Sequence, residues 1–534
     1  MTTTVNTAGA PNHASTAALC ACSLINAYLM IGVFPYAGYM AMALLQGVTQ
    51  DNAGAYAGLI ASSFMVGRTL SAYTWGKAAD IYGRIFVLNS CLLLSAVFSL
   101  LFCTAGSFRA ALFWRFCLGF SNGIFSTTKT AATELADGDH VLEKRNMFLV
   151  IGMRSWGYLV TPALCGFLSD PIRQYPGAAW LRQGWIGHVL TKYPFLLPNL
   201  VACVACLVTF VIVTYFVHET LPESKRRDAS NIPGDLLNWI QHSLKMLLRS
   251  AKTRVERLLR TVQSRICPFR GHNESRILLP ATYKYNATKE AMDGPTFAFN
   301  GEPTESVWGR IRTRHHLLAH WMFSFVSMCA DELFPLFCMS QTGGLGLTEA
   351  SIGKILSGAG LLFALTQYTV FSTLVHHYGE YTCLTIGSVL GIQPSAFIPL
   401  SLLLGTASEF SWRLFSLLSI IMAVCKLFGL LYFTSLALAL NKTVPSSQRG
   451  TMNGLVVTGA SLTRAIAPTF AGALSSFSYS SSVFPSEYGA VLVYGTLSML
   501  AALITLRVRH LNDTPDDANA KEATLEIEDI APIF

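Results

Sequence analysis

Twelve long apolar segments limit the fold of this chain more than any other feature of its sequence. A transmembrane α-helix needs about 20 predominantly apolar residues, and a bilayer offers the backbone no hydrogen-bond partners, so such segments must be helical. The segments cover residues 17–46, 54–76, 85–106, 109–134, 145–168, 194–218, 316–341, 349–375, 381–405, 412–440, 449–476 and 485–508. The sequence therefore predicts an all-α membrane protein with twelve transmembrane helices.

The composition of the chain excludes most other classes of protein. Hydrophobic residues make up 52% of it and charged residues 13%, whereas an average soluble protein carries about 25% charged residues. These values exclude a soluble enzyme, a disordered scaffold and a nucleic-acid binder. The histidines also lack the flanking Cys or Glu residues of a metal site. We expect no enzyme activity, no cofactor, no metal site and no nucleic-acid partner.

A polar stretch between the sixth and seventh segments divides the chain into two sets of six helices. The predicted domains are an N-terminal tail (1–16), a six-helix bundle (17–219), a loop (220–315), a second six-helix bundle (316–508) and a C-terminal tail (509–534). Within the loop, apolar residues recur every three or four positions over 235–266, with Lys and Arg between them. This pattern predicts a basic amphipathic helix, which suits an anionic membrane surface or, as the alternative, a calmodulin-like partner.

The positions of Lys and Arg predict the orientation in the membrane. Cytoplasmic connections carry an excess of these residues, and the central loop alone holds 17 of the 38. If the N-terminus is cytoplasmic, the other cytoplasmic connections hold Lys77, Arg84, Lys144, Arg145, Lys442, Arg449, Arg507 and Arg509. The outer connections then hold Arg109, Arg173, Arg182, Lys192 and Arg413. We therefore expect a multi-pass protein of the plasma membrane, the vacuole or another organelle, with both termini in the cytoplasm.

An internal repeat relates the two halves of the chain. Matching residues follow in the same order at nearly one offset: Phe34-Pro35 and Phe334-Pro335, Gly58 and Gly353, and Pro162-x3-Gly166 and Pro468-x3-Gly472. Parallel repeats related by an axis along the membrane normal are typical of secondary transporters that bind substrate between their halves. The repeat therefore predicts two pseudo-symmetric six-helix bundles with a substrate site between them.

Several short motifs resemble those of a known family. Gly67-Arg68 followed by Trp75-Gly76-Lys77-Ala78-Ala79-Asp80-Ile81-Tyr82-Gly83-Arg84 resembles the loop 2–3 signature of the major facilitator superfamily. Arg115-x3-Gly119-x3-Gly123 resembles its fourth-helix motif, and the stretch ending at Gly166 resembles the fifth-helix motif of its drug:proton antiporter branch. His218-Glu219-Thr220-Leu221-Pro222 and Gln448-Arg449-Gly450 are similar to the zinc-induced facilitator-like group. The resemblance implies the major facilitator fold and the transport of chelators, organic ions or drugs.

The resemblance also implies a gate at the cytoplasmic side. Asp80 would accept hydrogen bonds from the start of the eleventh helix, where the helix dipole favours an anion, and Arg68 and Arg84 would complete this latch. A basic turn that only fixes the topology is the alternative. The gate would also use Gly67, Gly76 and Gly83, which permit close backbone approach. Hinge positions, or alternatively positions of close packing, are Gly157, Pro162, Gly166, Pro468 and Gly472.

Charged residues at membrane depth are costly and mark functional sites. Asp331 and Glu332 lie near the middle of the seventh helix, and adjacent helical residues point about 100° apart. We therefore expect one to face the central cavity and the other to pack against a neighbouring helix. A carboxylate that is desolvated in one state and close to a cation in the other can couple transport to protons. The basic candidates are Arg115, Lys129, Arg154, Lys426 and Arg464; a fixed ion pair of either acid with Arg464 is the alternative.

These features together predict a monomeric secondary transporter that moves a small organic solute by alternating access and is coupled to protons. Lys129, Arg154, Lys426 and Arg464 outnumber the two acids, which favours an anionic or zwitterionic substrate. One alternative is a receptor or sensor that has the same fold and does not transport. Another is a uniporter of neutral solutes such as sugars. The buried acids disfavour the first, and the several central charges disfavour the second.

Overall fold

A computed structural model describes residues 13–136, 139–221, 223–226, 310–404, 411–444, 449–480 and 485–512. The described residues belong to one compact unit, which combines the parts of the chain before and after residues 227–305. The amphipathic helix expected over 235–266 lies outside the described residues, as do 1–12 and 513–534 of the two tails.

The described residues form helices joined by short connections. The N-terminal half (residues 13–221) contains α1 (His13–Ile31), α2 (Ala37–Leu44), α3 (Ala53–Tyr82), α4 (Arg84–Cys103), α5 (Phe108–Phe120), α6 (Ile124–Glu134), α7 (His140–Leu168), α8 (Pro171–Gln174), α9 (Gly184–Lys192) and α10 (Leu196–Phe216). The C-terminal half (residues 310–512) contains α11 (Ile311–Met339), α12 (Glu349–Leu390), α13 (Trp412–Lys442), α14 (Arg449–Ser480) and α15 (Gly489–Asn512). Short 3₁₀ helices occur at Ala179–Arg182, Glu223–Lys225, Gln393–Leu404 and Ser486–Tyr488.

Within the described residues, eight helical stretches are long and apolar enough to cross a membrane. They are His13–Ile31, Arg84–Cys103, Arg145–Leu168, Leu196–Phe216, Ile311–Met339, His377–Leu404, Trp412–Leu440 and Ser486–Arg509. The other four predicted spans fall on α3, on α5 with α6, on the first part of α12 and on α14, which are helical but more polar or interrupted. Three of these helices pack against the opposite half, so part of their surface faces protein. The all-helical membrane fold is confirmed, while the count of twelve crossings stays a prediction.

The first predicted span is broken into α1 and α2 at residues 32–36. Pro35 has no backbone N–H and restricts the residue before it, so the helix does not continue through this point. The turn is closed by hydrogen bonds to the carbonyl oxygen of Val33, from the N–H of Tyr36 at 3.1 Å and from that of Ala37 at 2.8 Å. Tyr36 is only 2% exposed. Irregular backbone therefore lies inside the protein, where it is tolerated at membrane depth.

Two further helix ends differ from the prediction. Helix α3 continues to Tyr82, beyond the predicted end at 76, and so includes the start of the loop 2–3 motif. Helix α12 runs through the eighth predicted span into the ninth across a kink at Gly379, where φ is 71°. This left-handed conformation is accessible to glycine without steric cost. The ninth span then continues as the 3₁₀ helix over Gln393–Leu404.

The two halves meet along two pairs of helices, α3 with α14 and α7 with α12. Matching glycines and prolines form the contacts: Gly58, Pro468 and Gly472 in the first pair, and Gly353, Pro162 and Gly166 in the second. A Cβ atom on Gly58 would lie 2.9 Å from the carbonyl carbon of Pro468, and one on Gly353 would lie 3.3 Å from that of Pro162. Glycine here allows the helix backbones to touch. The repeat in the sequence is therefore also a repeat of the contacts between the halves.

The end of the bundle where α2 leads into α3 is termed the Asp51 face, and the opposite end, where α3 leads into α4, the Asp80 face. At the Asp51 face, the carboxylate of Asp51 binds the turn that follows α11. Its Oδ1 accepts hydrogen bonds from Ser340 Oγ at 2.6 Å, Gln341 N at 3.0 Å and Thr342 N at 3.1 Å. Asp51 thus joins the N-terminal half to the C-terminal half.

An ion pair crosses between the halves at the same face. Arg173 pairs with Asp170 of its own half at 2.8 Å and with the buried Glu349 of the other half. Burial alone would lower the pKa of the Arg173 guanidinium, but the attraction of Glu349 raises it above its ordinary value. Further hydrogen bonds between the halves join Tyr39 to Leu347, Gln174 to Ala350, Ala55 to Ser476, Ser62 to Thr469 and Thr69 to Ser461. All of these contacts lie between the Asp51 face and Thr69, so the structure is closed at the Asp51 face.

Replacing Asp51 by Ala is expected to open this face. The variant loses three hydrogen bonds to an ionised carboxylate, and such bonds are each worth about 1.5–3 kcal/mol. We expect conformers open at the Asp51 face to rise by about tenfold or more. Pulsed EPR between spin labels at Gln46 and Tyr488 would report the separation. Glu487→Gln, an exposed acid at the same face, is the matched control; equal distances in both variants would contradict the role of Asp51.

Candidate site between the two halves

A narrow cavity lies between the halves. The N-terminal half contributes Ile31, Phe34 and Pro162 to its wall, and the C-terminal half contributes Asp331, Leu356, Ala359, Gly360, Phe363, Met422 and Lys426. Ile31 ends α1 and Phe34 lies within the break between α1 and α2, so the irregular backbone of the first span faces this cavity. The wall is mostly apolar, with one acid and one base. Apolar walls with a few placed polar groups are typical of sites for small molecules.

Asp331 and Lys426 form an ion pair in this wall. Asp331 is on α11 and Lys426 on α13, so the pair joins two helices of the same half. The side chain of Asp331 is 16% exposed and that of Lys426 is 21% exposed. An ion pair in a low-dielectric site is held strongly, and removing either partner leaves an uncompensated charge. Protonation of the carboxylate would likewise leave the lysine without its anion.

Glu332 points away from the cavity, as expected for the neighbour of Asp331 on a helix. It is 2% exposed, and its Oε2 atom has no hydrogen-bond partner among the described residues. The opposite charge that acts on Glu332 is that of Arg115. Arg115 is buried beside the turn between α1 and α2, where its Nη2 donates to the carbonyl oxygen of Met30 at 3.4 Å and its guanidinium lies 4.7 Å from the ring centre of Phe64.

The position of Arg464 differs from the alternative in which it pairs with Asp331 or Glu332. Its guanidinium lies 5.5 Å from the ring centre of Phe433, and its charge acts on His320, three helical turns before Asp331 on α11. The partner of Asp331 is Lys426. The alternative of a fixed pair between Arg464 and one of the two acids does not describe this structure.

Three basic residues of the N-terminal half gather around Met30 and Phe125. The guanidinium groups of Arg68 and Arg154 both contact the sulfur atom of Met30, each at 3.6 Å. The ammonium of Lys129 lies 5.3 Å from the ring centre of Phe125, and the guanidinium of Arg154 lies 5.0 Å from the same centre. We term Arg68, Lys129 and Arg154 the cationic cluster. The cluster lies on the side of the cavity nearer to the Asp80 face, because Met30 precedes the cavity residue Ile31 on α1.

Asp80 and Arg84 of the loop 2–3 motif belong to an ion-pair network at the Asp80 face. Arg84 binds Asp80 at 3.0 Å and Glu134 at 2.9 Å. The carboxylate of Glu219 accepts hydrogen bonds from the N–H groups of Arg84 at 2.8 Å and Ile85 at 3.1 Å, which caps the start of α4. The side chain of Asp80 is 69% exposed. Residues 445–448, directly before α14, lie outside the described residues, so the latch between Asp80 and that helix stays a prediction.

The glycines predicted for the gate and the hinges have different surroundings. Gly67 packs on α5 next to Gly119, and Gly157 packs on Ala27 of α1. Gly83 adopts a φ of 103° between α3 and α4. Gly76 has open space where a Cβ would point. The contacts of Gly157 and of the glycine–proline pairs between the halves favour close packing over a hinge.

Sequence reasoning missed Asp51, Glu219 and Met30. Asp51 and Glu219 are acids in connections, where most acids only contact solvent. A hint was available for Glu219, which belongs to the His218–Pro222 stretch resembling the zinc-induced facilitator-like group. Met30 is one of 15 methionines in an apolar chain, and nothing in the sequence marks it.

Comparison with known proteins agrees with this geometry. The family model described as Major Facilitator Superfamily matches residues 19–412. The "Major facilitator superfamily multidrug transporter mfsB" of Aspergillus fumigatus is 28% identical over 86% of this chain and 77% of its own length. "Protein ZINC INDUCED FACILITATOR-LIKE 1" of Arabidopsis thaliana is 27% identical over 90% of this chain and 87% of its own length. The resemblance to the zinc-induced facilitator-like branch is confirmed.

Solved structures share the fold. The human organic anion transporter MFSD10 (TETRAN) superposes with a TM-score of 0.53 at 18% identity, over 94% of this chain and 100% of its own. A D-xylose-proton symporter superposes with a TM-score of 0.61 at 12% identity, over 93% and 97%. The helical architecture, the two halves around a cavity and the family match lead to one conclusion: this chain belongs to the Major Facilitator Superfamily and is a membrane transporter, not an enzyme.

Proposed function

We propose that this protein moves a small organic solute by alternating access, and that protons bound at Asp331 drive the transport. The carrying observation is the ion pair of Asp331 with Lys426 in the wall of the cavity between the halves. Family membership and relatives such as the multidrug transporter of Aspergillus fumigatus support a small solute as the substrate. Charged groups at this depth are costly and are retained for function.

The proton acts in this proposal by releasing Lys426. While Asp331 is ionised, it holds the ammonium group of Lys426. A proton that reaches the carboxylate through the open face removes this charge, and Lys426 is then available to a polar group of the solute. When the halves rock and the proton leaves on the other side, the ion pair forms again and displaces the solute. Proton and solute binding are linked because both break the same ion pair: the proton binds Asp331, and the solute binds Lys426.

The contacts between the halves support one of the two end states of this cycle. The Asp51 face is closed by Asp51 and by the pair of Arg173 with Glu349. With both termini in the cytoplasm, as the distribution of Lys and Arg predicts, this face is the outer one. The opposite state would require these contacts to break and the Asp80 latch to form against α14.

The proposal includes twelve crossings in the plasma membrane or in the membrane of the vacuole or another organelle. Each half then begins and ends on the cytoplasmic side, as two parallel repeats require. We propose a monomer as the transporting unit. This is supported by the cavity, since both of its walls come from one chain.

Proton flux in proteoliposomes tests this function. The purified protein is reconstituted with the pH-sensitive dye pyranine inside, a pH gradient is imposed, and four solutes are added in turn: a dicarboxylate, an amino acid, a sugar and an organic cation. We expect at least one solute to cause proton movement that empty liposomes lack. Solute uptake without proton movement would indicate a uniporter, and saturable solute binding without uptake would indicate a receptor or sensor; either result contradicts the proposal.

A further inference from the structure

A second cavity lies inside the N-terminal half. Its wall is formed by α1, α4, α5, α7 and α10 and by the turn between α1 and α2, and it shares no lining residue with the cavity between the halves. Its volume is about 10 Å³, whereas one buried water needs about 10–15 Å³. The second cavity therefore has room for one guest of atomic size and excludes an organic solute.

Three polar side chains of this wall carry a hydrogen-bond donor that has no acceptor among the described residues. The hydroxyl of Ser99 on α4 and the Nε atom of Arg115 on α5 have no hydrogen-bond partner there. The hydroxyl oxygen of Tyr36, in the turn, accepts a hydrogen bond from Nδ2 of Asn199 at 3.1 Å, so its own proton remains to be donated. The three donor residues are at most 3% exposed, and an unpaired buried donor costs free energy.

The guanidinium of Arg115 is also a buried positive charge that no described acid neutralises by contact. It donates to the carbonyl oxygen of Met30 at 3.4 Å and lies 4.7 Å and 5.5 Å from the ring centres of Phe64 and Phe102. The charge of Glu332, in the other half, acts on it, but the two side chains form no ion pair. No carboxylate lines the second cavity. A buried cation without an adjacent anion is unfavourable.

A monatomic anion suits this wall better than a water molecule does. A water molecule accepts about two hydrogen bonds, and its own hydrogens then need acceptors. An anion accepts hydrogen bonds from all three donors, and it also balances the charge of Arg115. The size of the cavity, its donors and its charge thus favour the same kind of guest.

From these three donors around one cavity we infer that Arg115, Tyr36 and Ser99 bind a small inorganic anion, with chloride as the expected ion. This ion is not the transported solute, because its site is separate from the cavity between the halves. It would join the turn between α1 and α2 to α4 and α5. The same turn contains Phe34, which lines the cavity between the halves, so the anion stabilises the broken part of the first span.

Thermal unfolding in two salts tests the inference. The full-length protein is placed in nanodiscs of phosphatidylcholine, and sodium gluconate is replaced stepwise by sodium chloride at constant ionic strength. Gluconate is an organic anion and is too large for a cavity of this size. A ligand that binds the folded state raises the unfolding temperature, so we expect a rise that saturates with chloride. Equal unfolding temperatures in the two salts would indicate a water molecule in the cavity and would overturn the inference.

Two conservative variants assign the effect to the cavity. Ser99→Ala and Tyr36→Phe each remove one donor and are each expected to weaken chloride binding by about tenfold, the effect of one lost hydrogen bond to a charged group. Ser95→Ala is the matched control for the first, because Ser95 is also on α4, is fully buried and has an unpaired hydroxyl, but does not line the cavity. Equal losses of chloride affinity in Ser95→Ala and Ser99→Ala would contradict the assignment.

Two more variants separate specific binding from a general effect of salt. Tyr28→Phe is the control for Tyr36→Phe, since the hydroxyl of Tyr28 already donates to the carbonyl oxygen of Pro198 at 2.9 Å; we expect its chloride affinity to equal that of the parent. Arg115→Gln removes the positive charge and is expected to abolish the rise with chloride. If this variant does not fold, Ser99→Ala and Tyr36→Phe decide the question. An undiminished rise in Ser99→Ala and Tyr36→Phe would show that chloride acts on the whole protein and would overturn the site.

Discussion

Replacing Asp331 by Asn is expected to abolish solute accumulation driven by a pH gradient while exchange of solute across the membrane continues. Asparagine has nearly the shape of aspartate but cannot bind and release a proton, and it cannot hold Lys426 as an ion pair. Lys426 keeps its positive charge in this variant, so we expect solute binding and exchange to persist. We expect uphill accumulation to fall by about tenfold or more. The measurement compares uptake with and without a pH gradient in the same proteoliposomes.

The C-terminal half offers a matched control for this variant. Lys442 pairs with Glu380 at 2.8 Å, a second acid–lysine pair of the same half that does not line the cavity. Glu380→Gln removes the same kind of interaction and is expected to leave the pH dependence of uptake unchanged. Unaltered pH dependence in Asp331→Asn would defeat the assignment of this residue. A loss of similar size in both variants would show a general effect on stability instead.

The contacts between the halves follow the repeat in the sequence, although the sequence left hinges and close packing as alternatives and did not name the helices in contact. Two copies of one motif, Pro162-x3-Gly166 and Pro468-x3-Gly472, contact the two matching glycines Gly353 and Gly58. This relation has a physical reason. Backbones at touching distance leave no space for a side chain, so the residue type itself records the contact. The membrane class could be predicted directly, because long apolar segments have no stable place in water.

For the charged part of the site, the sequence predicted which residues are candidates but not which of them form pairs. Asp331 and the basic candidates were named from their depth, but the partner of Asp331 is Lys426, and Arg464 lies over the Phe433 ring. Which cation reaches which acid depends on the rotation of each helix and on side-chain rotamers, and a single sequence does not encode these in a readable form. The Asp51 contacts were missed for a related reason, since they depend on the placement of a turn that is 289 residues away from Asp51.

Replacing Gly472 by Val is expected to prevent closure of the Asp51 face. A Cβ at this position would lie 2.9 Å from the carbonyl carbon of Gly54 and 3.2 Å from the Cα of Gly58. These are backbone atoms, so α3 and α14 must separate to accommodate a side chain. Overpacking of this kind costs about 1–3 kcal/mol or more, and because the cost falls on the closed state, conformers open at the Asp51 face should gain about tenfold or more.

A cysteine reporter in the cavity wall measures this shift. Leu356 lines the cavity. In the Leu356→Cys variant, a membrane-impermeant thiol reagent reaches the new thiol only from the open face. We expect the parent protein to react from the Asp80 face, and the Gly472→Val variant to react from the Asp51 face. Gly454→Val is the matched control, since Gly454 is on the same helix and no described atom lies within 4 Å of where its Cβ would point. Reaction from the Asp80 face in both valine variants would show that contact of α3 with α14 does not govern access. In that case the polar contacts of Asp51 and of the Arg173–Glu349 pair would have to close the Asp51 face alone, and the glycine repeat would serve the assembly of the two halves and not their movement.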